Sequence, residues 1–369
     1  MPDTEFGADN LAEDRPKVAR LHRPNTKRIS LALQGGGSHG AFTWGVLHRL
    51  MGDPRIYIDG LSGTSAGAIN AVVMVDGFLK GQRQGAIDAL ELFWDEIAAH
   101  SMIPRFNLGS LFGIPQSWRV DHEPAFIMMD FITRLFAPTD LNPLDLNPLR
   151  DMLERQIDFD ALRQRPDIKV FVTASNVRTC RARIFRTPEL RADCLLASAC
   201  LPLMFKAVEI DGESYWDGGY LGNPAIYPLI HECGSSDIVI VRINPMQRNE
   251  VPVTARDILN RMNEMSFNSS LVREMRGIAT VSQFVQDGTL DDDRYTTVRF
   301  HEITAEEDLA SLGSLSKMNT EKAFLRHLHQ LGFETADRWL EENYAKIGWE
   351  GTLNVDQFAD HGDSPTSAR

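Results

Sequence analysis

Cysteine is scarce in this 369-residue chain: Cys180, Cys194, Cys200 and Cys233 are the only four, and no two stand in C-x-x-C spacing. So few, so irregularly placed, exclude a disulfide framework and point to a reducing, cytoplasmic setting. Long apolar runs are missing too. No stretch approaches the ~20 residues a membrane-crossing helix needs. The opening MPDTEFGADNLAEDRPK lacks the basic-then-apolar order of a secretory signal. Any membrane contact is therefore expected to be peripheral. Positive charge is in deficit: 38 Lys and Arg against 51 Asp and Glu leave a net charge of −13. That balance excludes a nucleic-acid partner, because phosphate binding draws on clustered cations. One local exception is the acid-free stretch holding Arg15, Lys17, Arg20, Arg23, Lys27 and Arg28. It reads first as a solvated arm and second as a patch for anionic headgroups, at roughly 1 kcal/mol per charge. Clusters of Asp, Glu, His or Cys at metal-ligand spacing are also missing, so no metal or other cofactor is expected.

What is present is an α/β pattern. Arg28-Ile-Ser-Leu-Ala-Leu is a short apolar run, followed by a glycine loop, Gly35-Gly36-Gly37-Ser38-His39-Gly40, and a periodic segment from Ala41 to Met51. A second strand-turn-helix unit follows: Ile56 to Ser62, then Gly63 to Gly67, then Ala68 to Lys80, with another helix over Gly85 to Ala99. Two such units in succession imply parallel strands. Later strands are expected at Ile168 to Ser175, Arg183 to Arg186, Ile238 to Ile243 and Arg299 to Ile303, with a hairpin over Val208 to Tyr215. Thr254 to Val285 reads as helix. Thr320 to Leu331 and Phe333 to Tyr344 read as two closing helices with Gly332 as a stop between them. The expected organisation is a flexible tail over 1–27, a catalytic core over 28–245, a mostly helical support over 246–350 and a second flexible tail over 351–369. Within the core, 101–149 is an apolar excursion, a candidate lid or acyl-pocket wall that reads equally well as core packing.

The chemistry concentrates at a few positions. Gly63-Thr64-Ser65-Ala66-Gly67 is a G-x-S-x-G match with a strand before it and a helix after it, the context in which a tight turn lifts a serine hydroxyl out of a sheet. Three glycines after the first strand let backbone N–H groups converge on one point, as an oxyanion hole requires. The rival is a nucleotide loop, since Gly35, Gly37 and Gly40 also fit G-x-G-x-x-G. A serine nucleophile needs a base. Of the late histidines, His231 closes a helix, His301 lies in a strand, His327 and His329 lie within a helix and His361 lies in the tail. All five read as satisfied or surface side chains. Asp217, in Tyr215-Trp216-Asp217-Gly218-Gly219-Tyr220, is open to two readings, an ordinary Asp-Gly-Gly turn or a carboxylate held where another backbone comes close.

Four blocks in order, Gly35 to Gly40, Gly63 to Gly67, Ala197-Ser198-Ala199-Cys200-Leu201-Pro202, and Asp217-Gly218-Gly219 with Asn223-Pro224, resemble the patatin-like phospholipase family. The resemblance spans roughly Arg28 to Asn244. It implies a three-layer α/β/α fold with a mostly parallel sheet, lipid acyl hydrolase activity without a cofactor, and a catalytic Ser65–Asp217 dyad that uses no histidine. It also implies an oxyanion hole in the Gly35, Gly36 and Gly37 loop, drawn from the backbone of Gly36 and Gly37, with His39, Gly40, Gly63, Gly67, Gly218 and Gly219 as supporting positions. The chain departs from the family at His39, where Arg or Lys is common. The expected partner is a lipid or other acyl-ester substrate, met in the cytoplasm or at a membrane surface. A triad esterase and a non-enzymatic nucleotide- or lipid-binding module stand as alternatives.

Overall fold

The first strand, β1 (Lys27–Leu33), is buried along its last five residues whichever way their side chains point. That is the signature of a central strand in a sheet covered on both faces. In this computed structural model, which describes residues 26–100, 140, 147–165, 168–248, 251–290, 298–313 and 315–358, β1 lies between two parallel neighbours. On one side is β2 (Ile56–Thr64), in register Leu31↔Leu61 and Leu33↔Gly63. On the other is β7 (Asp237–Val241), followed by β8 (Arg299–Ile303), both parallel. β3 (Lys169–Asn176) extends the parallel set beyond β2. β4 (Arg181–Arg186), β5 (Val208–Ile210) and β6 (Glu213–Asp217) complete it with antiparallel pairings, in the order β5-β6-β3-β2-β1-β7-β8 with β4 on β3. Of the tails expected over 1–27 and 351–369, residues 1–25 and 359–369 lie outside the described residues, as does the apolar excursion except 140 and 147–149. Lys27 starts β1, and Leu353, Val355 and Phe358 pack against the second face of the sheet, so 351–358 is part of the fold and not a loose end.

Helices cover both faces. α1 (Gly40–Gly52) and α2 (Ala66–Ala99) follow the first two strands. Phe42, Leu47, Val72 and Leu90 from them pack with Ile29, Leu31, Leu33, Val239 and Val241 of the sheet. α3 (Pro148–Gln156) starts at Asn147, whose side chain caps it, and is followed by the short α4 (Phe159–Arg163) and α5 (Ala192–Ser198). The opposite face of β1 and β7, through Ala32, Ile238 and Ile240, meets Leu229 of α6 (Tyr227–Glu232) and Leu271 and Met275 of α7 (Ala255–Gln286). The fold is thus α/β, three layers about a mostly parallel sheet. α8 (Glu306–Ser311) and α9 (Lys322–Asn343) follow β8, and α9 buries Phe324 and Leu328 in the first face with α1 and α2.

One helix expectation is corrected. Gly332 ends nothing: α9 runs unbroken through it. A Cβ there would lie 2.0 Å from the Phe42 carbonyl oxygen, and one on Gly45 would lie 1.9 Å from that of His329. The glycine is present because α1 and α9 cross backbone to backbone, a packing reason and not a stop signal. In α2 the reverse holds, for non-helical Gly81 and Gln82 divide it into two halves close to the two helices read from sequence.

β3 sets the position of the site. Its Thr173 pairs with Thr64, the last residue of β2, and its next residue, Ala174, pairs with Asp217, the last residue of β6. Because β4 occupies the other edge of β3 over Phe171 to Asn176, β2 and β6 share one edge. The residue after β2 and the residue ending β6 therefore arrive at the same place.

Candidate active site

Ser65 is the residue after β2. Its φ of 54° and ψ of −123° put a non-glycine residue in left-handed territory at the N-terminus of α2, a strain of about 1–3 kcal/mol that only surrounding structure can hold. The turn can be this sharp because its flanks are glycine: a Cβ on Gly67 would sit 2.3 Å from the Leu33 carbonyl oxygen, and one on Gly63 would strike the backbone of Gly67 and Ala68. Ser198, on α5, accepts from the Ser65 N–H at 2.8 Å and donates to the Thr173 carbonyl at 2.6 Å, tying the elbow to β3.

Asp217 is 1% exposed. Its backbone N–H donates to Cys200 O at 2.8 Å, and Ser175 Oγ donates to its carbonyl at 2.8 Å. The carboxylate accepts from Gly219 N–H at 2.7 Å, and the Ser65 side chain stands close enough to it to favour its ionised form. Gly218 allows this geometry, since a Cβ there would lie 2.1 Å from Thr173 O. Ties from Thr64 Oγ1 to Gly222 O (2.6 Å) and from Ser62 Oγ to Ala225 O (2.5 Å) hold the segment after Asp217 against β2. Burial away from water pushes the carboxyl up to about 7, against the opposing pull of the Gly219 hydrogen bond, the nearby Ser65 side chain and the positive charge of Lys317.

The glycine loop closes the site from the β1 side. Gly35 was expected to offer its N–H with its neighbours, but that group donates to Asn223 Oδ1 at 2.7 Å. Among the described residues nothing accepts from the N–H of Gly36 or Gly37. Gly37 takes a φ of 59° and packs so closely on the 3-10 turn Leu315–Met318 that a Cβ would lie 2.4 Å from Lys317 O. Gln34 braces the loop from beneath, accepting from the N–H groups of Ile243 and Asn244 at 3.0 Å each, while Asn244 Nδ2 donates to Gly35 O at 2.7 Å. Gly40 lets α1 pass Ala66, where a Cβ would fall 2.7 Å from the alanine methyl.

His39 is buried at 1% exposure, with Nε2 2.7 Å from Ser316 Oγ. Ser316 Oγ donates to Gly313 O, so the network assigns the proton of the shared bond to His39 Nε2. Burial, with Lys317 and Arg248 nearby, lowers its pKa to about 3, and His39 is neutral at physiological pH. No other described histidine reaches the site by a hydrogen bond. His301 lies between Asp237 and Thr352, His329 pairs with His48, and none hydrogen-bonds to Ser65. His361 lies outside the described residues. A cavity of about 310 Å³ lies elsewhere, between the halves of α2 and the end of α3, and touches neither Ser65 nor Asp217.

Sequence reasoning missed Gln34, Asn244 and Lys317, and quoted Ser198 and Asn223 without a role. Their importance arises from contacts between distant segments, and only the last two sat inside motif blocks.

A strand that turns sharply through a serine into a helix is a context that can present a serine hydroxyl for attack. A family model described as patatin-like phospholipase matches residues 31–230, more than half of the sequence. This chain belongs to the patatin-like phospholipase family, and with it to a class of lipid hydrolases. A search of curated proteins finds no match. Among solved structures it is similar to VipD from Legionella pneumophila, at 12% identity over 86% of this chain and 67% of VipD, with a TM-score of 0.39. It is also similar to ExoU from the type III secretion system of Pseudomonas aeruginosa, solved in complex with SpcU, at 15% identity over 87% of this chain and a TM-score of 0.32. The match covers 53% of ExoU, so the chain spans about half of that protein's length.

Proposed function

We propose that this protein hydrolyses acyl esters of lipids with a Ser65–Asp217 dyad. The observation that carries the reading is a serine at a strained strand-to-helix elbow brought beside a buried carboxylate where β2 and β6 end next to each other on β3. Asp217 takes the Ser65 proton as Oγ attacks the ester carbonyl carbon. The oxyanion of the tetrahedral intermediate accepts from the unengaged N–H groups of Gly36 and Gly37, the largest source of stabilisation in such reactions. As the C–O bond to the alcohol breaks, Asp217 returns the proton to the leaving oxygen, and an acyl-Ser65 remains. Asp217 then removes a proton from water, which attacks the acyl carbon, and returns that proton to Ser65 Oγ as the acyl–Oγ bond breaks and the fatty acid leaves. An ordinary carboxylate is a weak base. One pushed up to about 7 is matched to neutral pH, which supports a base other than histidine.

Support for a lipid substrate comes from the family and from apolar side chains that α7 and the segment before it leave exposed: Val251, Val253, Ile258, Leu259, Met262 and Met265. The same helix reaches the site through Phe267, which packs on Gly219, and Asn268, which receives a hydrogen bond from Gln34. Peripheral contact with a lipid surface follows from this placement. The test of the dyad is covalent labelling with a fluorophosphonate. The wild type is expected to label and turn over ester, Ser65→Ala to do neither, and Asp217→Asn to fold and lose turnover. Full turnover by Asp217→Asn would sink the dyad.

A further inference from the structure

The site holds a cation that the glycine-loop sequence does not announce. Lys317 stands on the turn Leu315–Met318, far along the chain from the loop and outside the residues the family model matches. Its backbone carbonyl is the atom Gly37 is packed against. Its Nζ donates to Asn244 Oδ1 at 2.6 Å, the same side-chain amide that donates through Nδ2 to Gly35 O and to Gln34 Oε1. Asn244 Oδ1 in turn lies 3.6 Å from where a Cβ on Gly36 would be. The ammonium is thus one side-chain amide away from the two glycines whose N–H groups are unengaged. Among the described residues it makes no ion pair. Its charge is felt by Asp217 on β6 and by His39, and it feels Glu264 on α7 and Arg248, Glu264 being already paired to Arg248 and Arg261.

We propose that Lys317 is the positioning cation of this active site, orienting the glycine loop through Asn244 and supplying the positive charge that favours both the oxyanion and the ionised form of Asp217. The inference rests on the hydrolase reading. His39 completes the device: neutral and buried, it donates to Ser316, the residue before Lys317, and so pins the turn that carries the cation. Electrostatics follow the geometry. Burial lowers Lys317 to about 8, so it is charged at neutral pH and loses its proton in mild alkali. The productive state pairs ionised Asp217 with protonated Lys317, and activity against pH should be a bell whose two limbs belong to the coupled pair.

The experiment is hydrolysis of a soluble short-chain ester from pH 5 to 10 by wild type, Lys317→Met, Lys317→Arg and Ser65→Ala, with thermal melts of each. Lys317→Met is expected to lower kcat about 10- to 100-fold with little change in KM. Its acid limb should move to higher pH, since a positive charge near Asp217 is gone, and its alkaline limb should disappear. Lys317→Arg should keep kcat within about fivefold and extend the plateau past pH 9, because guanidinium stays protonated there. If Lys317→Met fails to fold, the Lys317→Arg alkaline limb alone decides. An unshifted profile in the folded Met variant, or an Arg variant whose alkaline limb matches wild type, overturns the proposal. Turnover that survives Ser65→Ala overturns the Ser65–Asp217 reading on which the proposal rests instead, and the two failures are told apart by that variant.

Discussion

Asp217 must carry a negative charge where water cannot reach it, and the cost shows in stability as well as in reactivity. Its carboxyl sits near 7 in the folded protein against an ordinary value of 3.8. Between those values the folded state holds a proton that the unfolded chain has released. Stability therefore falls as pH rises from about 4 to about 7, by about 1.4 kcal/mol for each unit of difference. Asparagine at 217 has no charge to bury and keeps an Oδ1 that can accept from Gly219. Asp217→Asn is thus expected to be inactive, yet more resistant to denaturant than wild type at pH 8. The gap should be up to a few kcal/mol and close towards pH 4. Urea midpoints of the two proteins measured across that range check this, and parallel curves would mean that Asp217 is not held at a raised pKa. The same residue shows what sequence could reveal. Ser65 declares itself by five consecutive residues between a strand and a helix, whereas Asp217 looks like any Asp-Gly turn until the order of the four blocks is considered. Lys317 has no local signature, for its environment is assembled from β1, β7 and a turn distant from both.

At the level of elements, the site is a meeting of strand ends held by one short helix. β2 and β6 share an edge of β3, and α5 locks the junction through Ser198, whose hydroxyl bridges Ser65 N–H and Thr173 O. Removing that hydroxyl leaves a buried donor and a buried acceptor unpaired. Ser198→Ala is expected to cost about 1–3 kcal/mol of stability. It should also lower kcat more than KM, because the strained Ser65 backbone loses its only side-chain restraint among the described residues. Denaturant unfolding and steady-state kinetics on one preparation measure both effects, and a variant as stable and as fast as wild type would remove Ser198 from this role. Most elements were readable beforehand, including the late strand Arg299–Ile303, because periodicity is a local signal. Gly332 misled for the opposite reason. In sequence a glycine in a helical pattern looks like a stop, and only the crossing of α1 and α9 explains it.

Over the whole molecule, charge and apolar surface pull in different directions. A net charge of −13 opposes approach to an anionic lipid surface, so the proposed contact must draw on apolar area near the site, where Met262 and Met265 stand one helical turn apart, each 59% exposed. Area-driven contact weakens little when salt screens charges, whereas contact through the basic stretch from Arg15 to Arg28 fades as salt rises. Wild-type turnover of phospholipid vesicles is therefore expected to persist from about 0.05 to about 0.5 M salt, a span over which the screening length shrinks severalfold. Met262→Glu combined with Met265→Glu should reduce vesicle turnover about tenfold or more, through lost apolar contact and added like charge. Turnover of a soluble short-chain ester should stay within about twofold, since neither side chain touches Ser65, Asp217 or the glycine loop. Equal losses on both substrates would mean that the helix face serves the catalytic centre and not the surface. Vesicle activity that collapses with salt while tolerating the double substitution would transfer the anchoring role to the N-terminal arm.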